Sequence, residues 1–145
     1  LLQRAGGNMK LVFYKPEQIP EIWFHAAPLF QKVVDKAVHG EFDVADLYRL
    51  AREGKVVVCL VWEGDEVVMA TAIEFIYYPK ATAANVLAMG GKEMKAVFAC
   101  CFAAVKQFCR IAGAKWIQCE VSAGAERLYR PYGYQTVYRK MRVEL

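Results

Sequence analysis

The sequence predicts an α/β protein, α+β by strict topology: a mixed, mostly antiparallel sheet with helices on both faces. Extended and helical runs follow one another in the order β-α-α-β-β-β-α-β-α-β. Two strongly β-prone runs, 55–62 (KVVVCLVW) and 67–78 (VVMATAIEFIYY), are joined by the turn signal 63–66, which makes an antiparallel hairpin. A nearly all-apolar helical stretch, 92–112, then stands between the short strands 84–88 and 115–121. That step gives parallel neighbours with a right-handed crossover.

Taken in order, residues 10–14 (KLVFY) read as a first strand ended by Pro16. Pro20 suits the first turn of a helix, where its missing N–H costs nothing. Ile22, Trp23, Leu29, Phe30, Val33 and Val34 continue that helix, and Pro28 inside it predicts a kink or two short helices. Asp43 caps the following helix, with Asp46 in the position of a partial capping box, and Val44, Leu47, Tyr48 and Leu50 form its buried stripe. Unbroken apolar character in the hairpin strands implies cover on both faces of the sheet.

The stretch 84–112 is the centre of the pattern. Gly90 and Gly91 break the strand, and from Met94 the apolar positions recur at helical spacing. Residues 96–105 (AVFACCFAAV) leave no polar face, so this helix should be covered on several sides. Gly113 ends it, and strand 115–121 follows. Ser122 caps a short helix that stops at Pro131 and Gly133, and 134–143 (YQTVYRKMRV) alternates as a closing strand. There is no internal repeat and no linker.

At 145 residues, with 57% hydrophobic and 23% charged residues, the chain makes one ordered domain. Met9 reads as a natural start, which sets residues 1–8 apart as an N-terminal extension and leaves 9–145 as the domain. No signal-peptide core opens the chain, and its longest apolar run falls short of the ~18 residues a membrane span needs. The net charge of +4 is mild. Arg127, Arg130, Arg139, Lys140 and Arg142 gather near the C-terminus without a nucleic-acid motif, and read as a solvated surface. The five cysteines sit among apolar residues with no Cys-x-x-Cys. They read as buried thiols of a reducing cytoplasm, with neither zinc nor disulfides. Cys100 and Cys101, mid-helix, have no histidine nearby in sequence and read as core.

A glycine pair running into a helix aims free N–H groups and the positive dipole end at one point, which suits phosphate. Lys92 and Lys95 add charge there. The plainer reading is a strand–turn–helix connection.

Ser122, Ala125, Leu128–Tyr129 and Gly133–Tyr134 resemble the Asn-x-x-Ala-x-x-Leu-Tyr-x-x-x-Gly-Phe signature of the GNAT superfamily of N-acetyltransferases, with Ser for Asn and Tyr for Phe. The element order over 9–145 fits the same family. The resemblance implies a gap between strands 84–88 and 115–121 that holds acetyl-CoA. It places the cofactor's pyrophosphate on the loop that opens the central helix. The implied cofactor-binding residues are Leu87, Ala88, Met89, Gly90, Gly91 and Lys92. Here the loop departs from the family's Gln/Arg-x-x-Gly-x-Gly/Ala, since Met89–Glu93 supplies no matching Gln or Arg. Segments 23–24, 43–47 and 52–55 are similar to GNAT-like proteins of tailed phages.

The resemblance further implies Tyr129 as the general acid that protonates the departing thiolate, and Glu74 as the base. Glu74 is the one charge within 67–78, where desolvation would raise its pKa. The plain alternatives are a packing tyrosine and a solvated strand-end glutamate. Glu120 reads as structural, and His39 and Glu41 lie where such folds admit substrate. Two functions fit: an acetyl-CoA-dependent N-acetyltransferase of an unidentified primary amine, as monomer or homodimer, or a non-catalytic GNAT-fold virion or accessory protein. Neither needs a metal, nucleic acid or membrane.

Overall fold

Apolar, β-branched runs become strands here because both faces of the sheet are covered. The computed structural model describes the backbone of residues 2–5 and all of residues 8–145. Its sheet is six-stranded and runs in simple sequence order from β1 to β6: β1 (Leu2–Ala5), β2 (Met9–Tyr14), β3 (Val57–Glu63), β4 (Glu66–Tyr77), β5 (Thr82–Gly91) and β6 (Ala114–Cys119). Every neighbouring pair is antiparallel except β5 with β6. This is the mixed, mostly antiparallel sheet expected. Leu2–Ala5, within the segment read as an N-terminal extension, pairs as an edge strand on β2.

The hairpin closes as the turn signal requires, with Glu63 opposite Glu66. Helices α1 (Ile19–Ala37) and α2 (Val44–Arg52) cover one face. Phe30 and Leu47, both fully buried, meet Val58, Leu60, Ala70, Ala72 and Ala88 there. Helix α3 (Met94–Ile111) covers the other, where Val97, Cys101 and Phe108 pack on Leu11, Phe13, Val61 and Met69. The Asp43 cap forms with both halves of its box: Asp46 N–H donates to Asp43 Oδ1 at 2.8 Å and Asp43 N–H to Asp46 Oδ2 at 3.0 Å.

Four expectations are corrected. Pro28 does not divide its helix: α1 is continuous. Pro28 and Phe24 are both exposed, so the Phe24 carbonyl that loses its partner can turn to water. The glycines are no turn. Gly91 and Gly90 end β5, opposite Met69 and Ala70 of β4.

Third, α3 is not covered on all sides. Ala96, Ala99 and Ala103 lie exposed along it, alanine being small enough to serve on either face. Fourth, 134–143 is not a strand in this monomer. After α4 (Ala123–Tyr129) and a 3-10 turn at Arg130–Tyr132, it has neither helix nor ladder pairing. None of the described helices is long and apolar enough to cross a membrane.

Candidate active site

The site lies where β5 and β6 part company. Their parallel pairing runs from Thr82 with Ala114 to Val86 with Cys119 and stops there. Beyond it β5 continues from Leu87 to Gly91 bonded on one side only, to β4. The strand that returns after α3 is too short to follow it, and the chain leaves β6 at Cys119 to enter α4. The result is a gap in the ladder between the far end of β5 and the β6–α4 junction.

Tyr129 stands at this junction. Ser122 Oγ accepts from Ala125 N–H at 3.3 Å and starts α4, which aims Tyr129 back at α3. Its ring meets Phe98 edge-on at 5.8 Å and Tyr134 edge-on at 5.3 Å. Burial, and then the nearby Cys119 thiol, push its pKa up to about 12. The hydroxyl is therefore fully protonated at neutral pH and able to donate. It makes no side-chain hydrogen bond among the described residues.

The loop that opens α3 is far shorter than a phosphate cradle. Only Lys92 and Glu93 separate β5 from α3. Lys92 N–H is taken by the Val68 carbonyl at 2.9 Å, and its ammonium by Glu66 at 2.7 Å. Glu93 precedes the helix at φ 58°, the single non-glycine in the left-handed region among the described residues. It makes no side-chain cap. Met94, Lys95 and Ala96 therefore carry the first N–H groups of the helix without a backbone acceptor, and Lys95 and Ala96 face solvent. Those donors fit one phosphate group. They do not by themselves surround a pyrophosphate.

The two glycines have packing reasons. A Cβ on Gly91 would sit 2.1 Å from the Val68 carbonyl oxygen, and one on Gly90 2.5 Å from Val33 Cγ2 and 2.7 Å from the Leu29 carbonyl oxygen. Neither has a positive φ. Of the other expected cofactor residues, Ala88 is buried toward α1 and Leu87 half-buried against the same cluster, while Met89 packs beneath α3. Met89 also lines a small apolar cavity of about 50 Å³ with Phe98, Val86 and Tyr134, just inside the gap.

Glu74 is half-buried and sits in line with Asn85 and Gln118 across β4, β5 and β6. Asn85 Nδ2 donates to its Oε2 at 2.7 Å. Gln118 Nε2 in turn lies 3.5 Å from Asn85 Oδ1 and 3.3 Å from the Tyr78 hydroxyl. Asn85 and Gln118 escaped the sequence reading. Only their register opposite Glu74 joins them, and register is not visible in one strand alone. Glu120 is exposed and pairs with Lys140 at 2.9 Å. His39 and Glu41 are likewise exposed, with Glu41 held 2.9 Å from Arg142 of the tail. The His39 N–H, and to a lesser degree Arg142, keep the Glu41 carboxyl below its usual pKa.

The cysteines are free; three are buried and two half-buried. Burial raises the thiol pKa of Cys59 to about 12 and of Cys101 and Cys109 to about 11, so none of these offers a thiolate.

No family model matches this sequence, and no curated protein does. Solved structures do match over nearly their whole length. A ribosomal-protein-alanine N-acetyltransferase from Brucella melitensis biovar Abortus 2308 superposes with a TM-score of 0.68 at 9% identity, covering 94% of this chain and 99% of that one. A predicted acetyltransferase with acetyl-CoA from Clostridium acetobutylicum gives 0.64 at 12%, covering 94% and 96%. An aminoglycoside acetyltransferase from an uncultured soil metagenomic sample gives 0.70 at 12%, covering 96% and 99%. The chain has the fold of the GNAT acetyltransferases. The narrower likeness to phage proteins draws no support from these matches.

Proposed function

We propose that this chain is an acetyl-CoA-dependent N-acetyltransferase of a primary amine, working in the cytoplasm. The observation that carries this reading is the end of the β5–β6 ladder at Val86 and Cys119, with a protonated tyrosine beside Cys119. Acetyl-CoA would lie in the gap, with phosphate at the exposed first turn of α3. Its pantetheine would run along the unpaired side of β5 from Gly91 to Leu87. Acetyl-CoA supplies an activated thioester. The amine nitrogen attacks its carbonyl carbon, the carbon–sulfur bond breaks, and the thiolate takes a proton from Tyr129. Glu74, oriented by Asn85, would take the proton that the amine sheds.

A second reading keeps the fold without the chemistry. It is favoured by the loop at Lys92–Glu93, which spends one N–H on Val68, one ammonium on Glu66, and sets an acidic residue, Glu93, immediately before the helix. Calorimetric titration with CoA separates the two. Binding in the micromolar to millimolar range, competitive with acetyl-CoA, supports the enzyme; no heat and no thermal shift at millimolar CoA supports the non-catalytic protein.

A further inference from the structure

β5 does not keep a plain alternation as it leaves the ladder. Ala72 of β4 faces Ala88 and Ile73 faces Val86, so Leu87 between them is an extra residue, a bulge. The bulge sets Val86 and Met89 on the same face of the sheet, against α3, while Leu87 and Ala88 both turn to α1. Regular alternation would put Val86 and Met89, three residues apart, on opposite faces. Between these two side chains and Phe98 and Cys101 of α3 lies the apolar cavity of about 50 Å³. Among the described residues no charged side chain lines it, and the buried Thr71 in its wall pairs its hydroxyl with the Cys59 thiol. A water molecule needs roughly 10–15 Å³ of such space and two to four polar partners, which this wall does not offer. One or two methylene-sized groups fit it instead.

We propose that this cavity selects the acyl donor: it receives the end of the acyl group, and the protein binds propionyl-CoA and butyryl-CoA more tightly than acetyl-CoA. The inference rests on the acyl-transfer reading above and names the donor class for it. Val86 belongs both to the parting point of the ladder and to the cavity wall. Tyr134, whose ring lies 5.3 Å from that of Tyr129, closes the same wall. A thioester carbonyl at the end of the ladder, with its sulfur beside Tyr129, therefore has the cavity next to its carbon substituent. Asn85, which holds Glu74, directly precedes Val86, so its side chain leaves the strand on the other face. Amine and acyl tail thus reach the carbonyl from opposite faces of β5 and do not compete for room. An acetyl group leaves the cavity partly filled, and one or two further carbons fill it. A charged end would be buried there without a partner, which excludes dicarboxylic acyl groups such as succinyl. The bonds made and broken are the same for every donor: carbon–sulfur breaks, carbon–nitrogen forms, and the thiolate leaves as CoA.

The test is calorimetric titration of the full chain with CoA and with its acetyl, propionyl, butyryl and succinyl thioesters, without an acceptor amine. The expected result is a Kd that falls roughly fourfold for each carbon added from acetyl to butyryl, the worth of one buried methylene. Succinyl-CoA should gain nothing over acetyl-CoA. Two variants fill the cavity from successive turns of α3: Cys101→Met with an unbranched, adaptable side chain, and Val105→Leu with one more carbon. Each should return propionyl-CoA and butyryl-CoA to the Kd of acetyl-CoA while leaving that of CoA itself unchanged, and either one suffices if the other does not fold. If CoA binds but acetyl-CoA is the tightest thioester, or all bind equally, the proposal is overturned and the acetyl-transfer reading stands. A gain with chain length that persists in a folded variant overturns it too, since the acyl group then lies elsewhere. Failure of CoA itself to bind removes the acyl-transfer reading, and the proposal falls with it.

Discussion

Val86 and Cys119 are the last paired residues of β5 and β6. Up to that pair the strands form an ordinary parallel ladder; past it, five residues of β5, Leu87 to Gly91, have β4 on one side and no strand on the other. A sheet leaves such a row of N–H and C=O groups bare only where something else can meet them. The site follows from this. Tyr129 is carried by a helix that begins four residues after Cys119, and Asn85, which donates to Glu74, is the neighbour of the Val86 that closes the ladder.

Gly91 is required by the fold before it is required by any ligand. Gly91→Ala sets a methyl 2.1 Å from a backbone oxygen and 2.8 Å from Met69 Cα, and neither can retreat without opening the β4–β5 ladder. We expect a loss of about 1–3 kcal/mol, seen as a fall in Tm of about 2–4 °C per kcal/mol in a thermal melt. A variant of unchanged Tm would show that the strands can separate here.

Glu93 is the opposite case, a side chain where the backbone prefers none. A left-handed conformation costs a non-glycine residue about 1–2 kcal/mol, against about 0.5–1 kcal/mol of extra chain entropy that glycine brings to the unfolded state. With φ at 58°, Glu93→Gly should be neutral to stabilising by up to about 1 kcal/mol. It also removes a carboxylate from the mouth of the helix. CoA titrations of the variant should show tighter binding that weakens with salt. Weaker binding would mean that the phosphates do not sit at α3.

The parts of this fold written in local chemistry were legible in the sequence. Asp43 with Asp46 and Ser122 with Ala125 are contacts within one turn, so spacing suffices to find them. The glycine pair was misread because a turn and a strand pressed against a helix make the same demand for a missing Cβ. Leu29 and Val33 of α1, some sixty residues from Gly90, and Val68 of β4 beside Gly91 decide between them. The tail was read as a strand from its alternation, which states what a segment can pair as and not whether a partner is beside it. Tyr129 was found through the signature it sits in, and its surroundings of Phe98, Tyr134 and Cys119 are tertiary.

Alkaline solution should unfold this protein earlier than acid chemistry alone suggests. Cys59, Cys101, Cys109 and Tyr129 all have pKa values raised by burial, to about 12, 11, 11 and 12 from ordinary values of 9.0 for the thiols and 10.0 for the tyrosine. The unfolded chain releases these protons first, so it binds fewer of them and stability falls with rising pH. The contribution is complete below about pH 9 and is lost as pH climbs toward 11–12. Denaturant midpoints should be flat from pH 6 to about pH 8.5 and decline steadily above it. A flat profile to pH 11 would mean that these groups are solvated.

Tyr129→Phe isolates the chemical step. The ring packs edge-on against Phe98 and Tyr134, contacts that phenylalanine keeps, and the hydroxyl has no side-chain hydrogen bond among the described residues to lose. The melting temperature should therefore change little. A general acid contributes about 10²–10⁴-fold, so turnover should fall by that factor while the KM for acetyl-CoA stays near its original value. With a pKa near 12, the tyrosine adds no ionisation to the pH–rate profile below about pH 11, and the variant should keep the shape of that profile while losing its height. Glu74→Gln tests the other end of the reaction. It preserves a partner for Asn85 and removes the base, so its defect should grow as the pH is lowered and more of the amine is protonated. An unidentified acceptor does not block the measurement, because release of CoA from acetyl-CoA to water or to a panel of simple amines reports the same proton transfer. Equal turnover in wild type and Tyr129→Phe would leave the tyrosine a packing residue and return the protein to its non-catalytic reading.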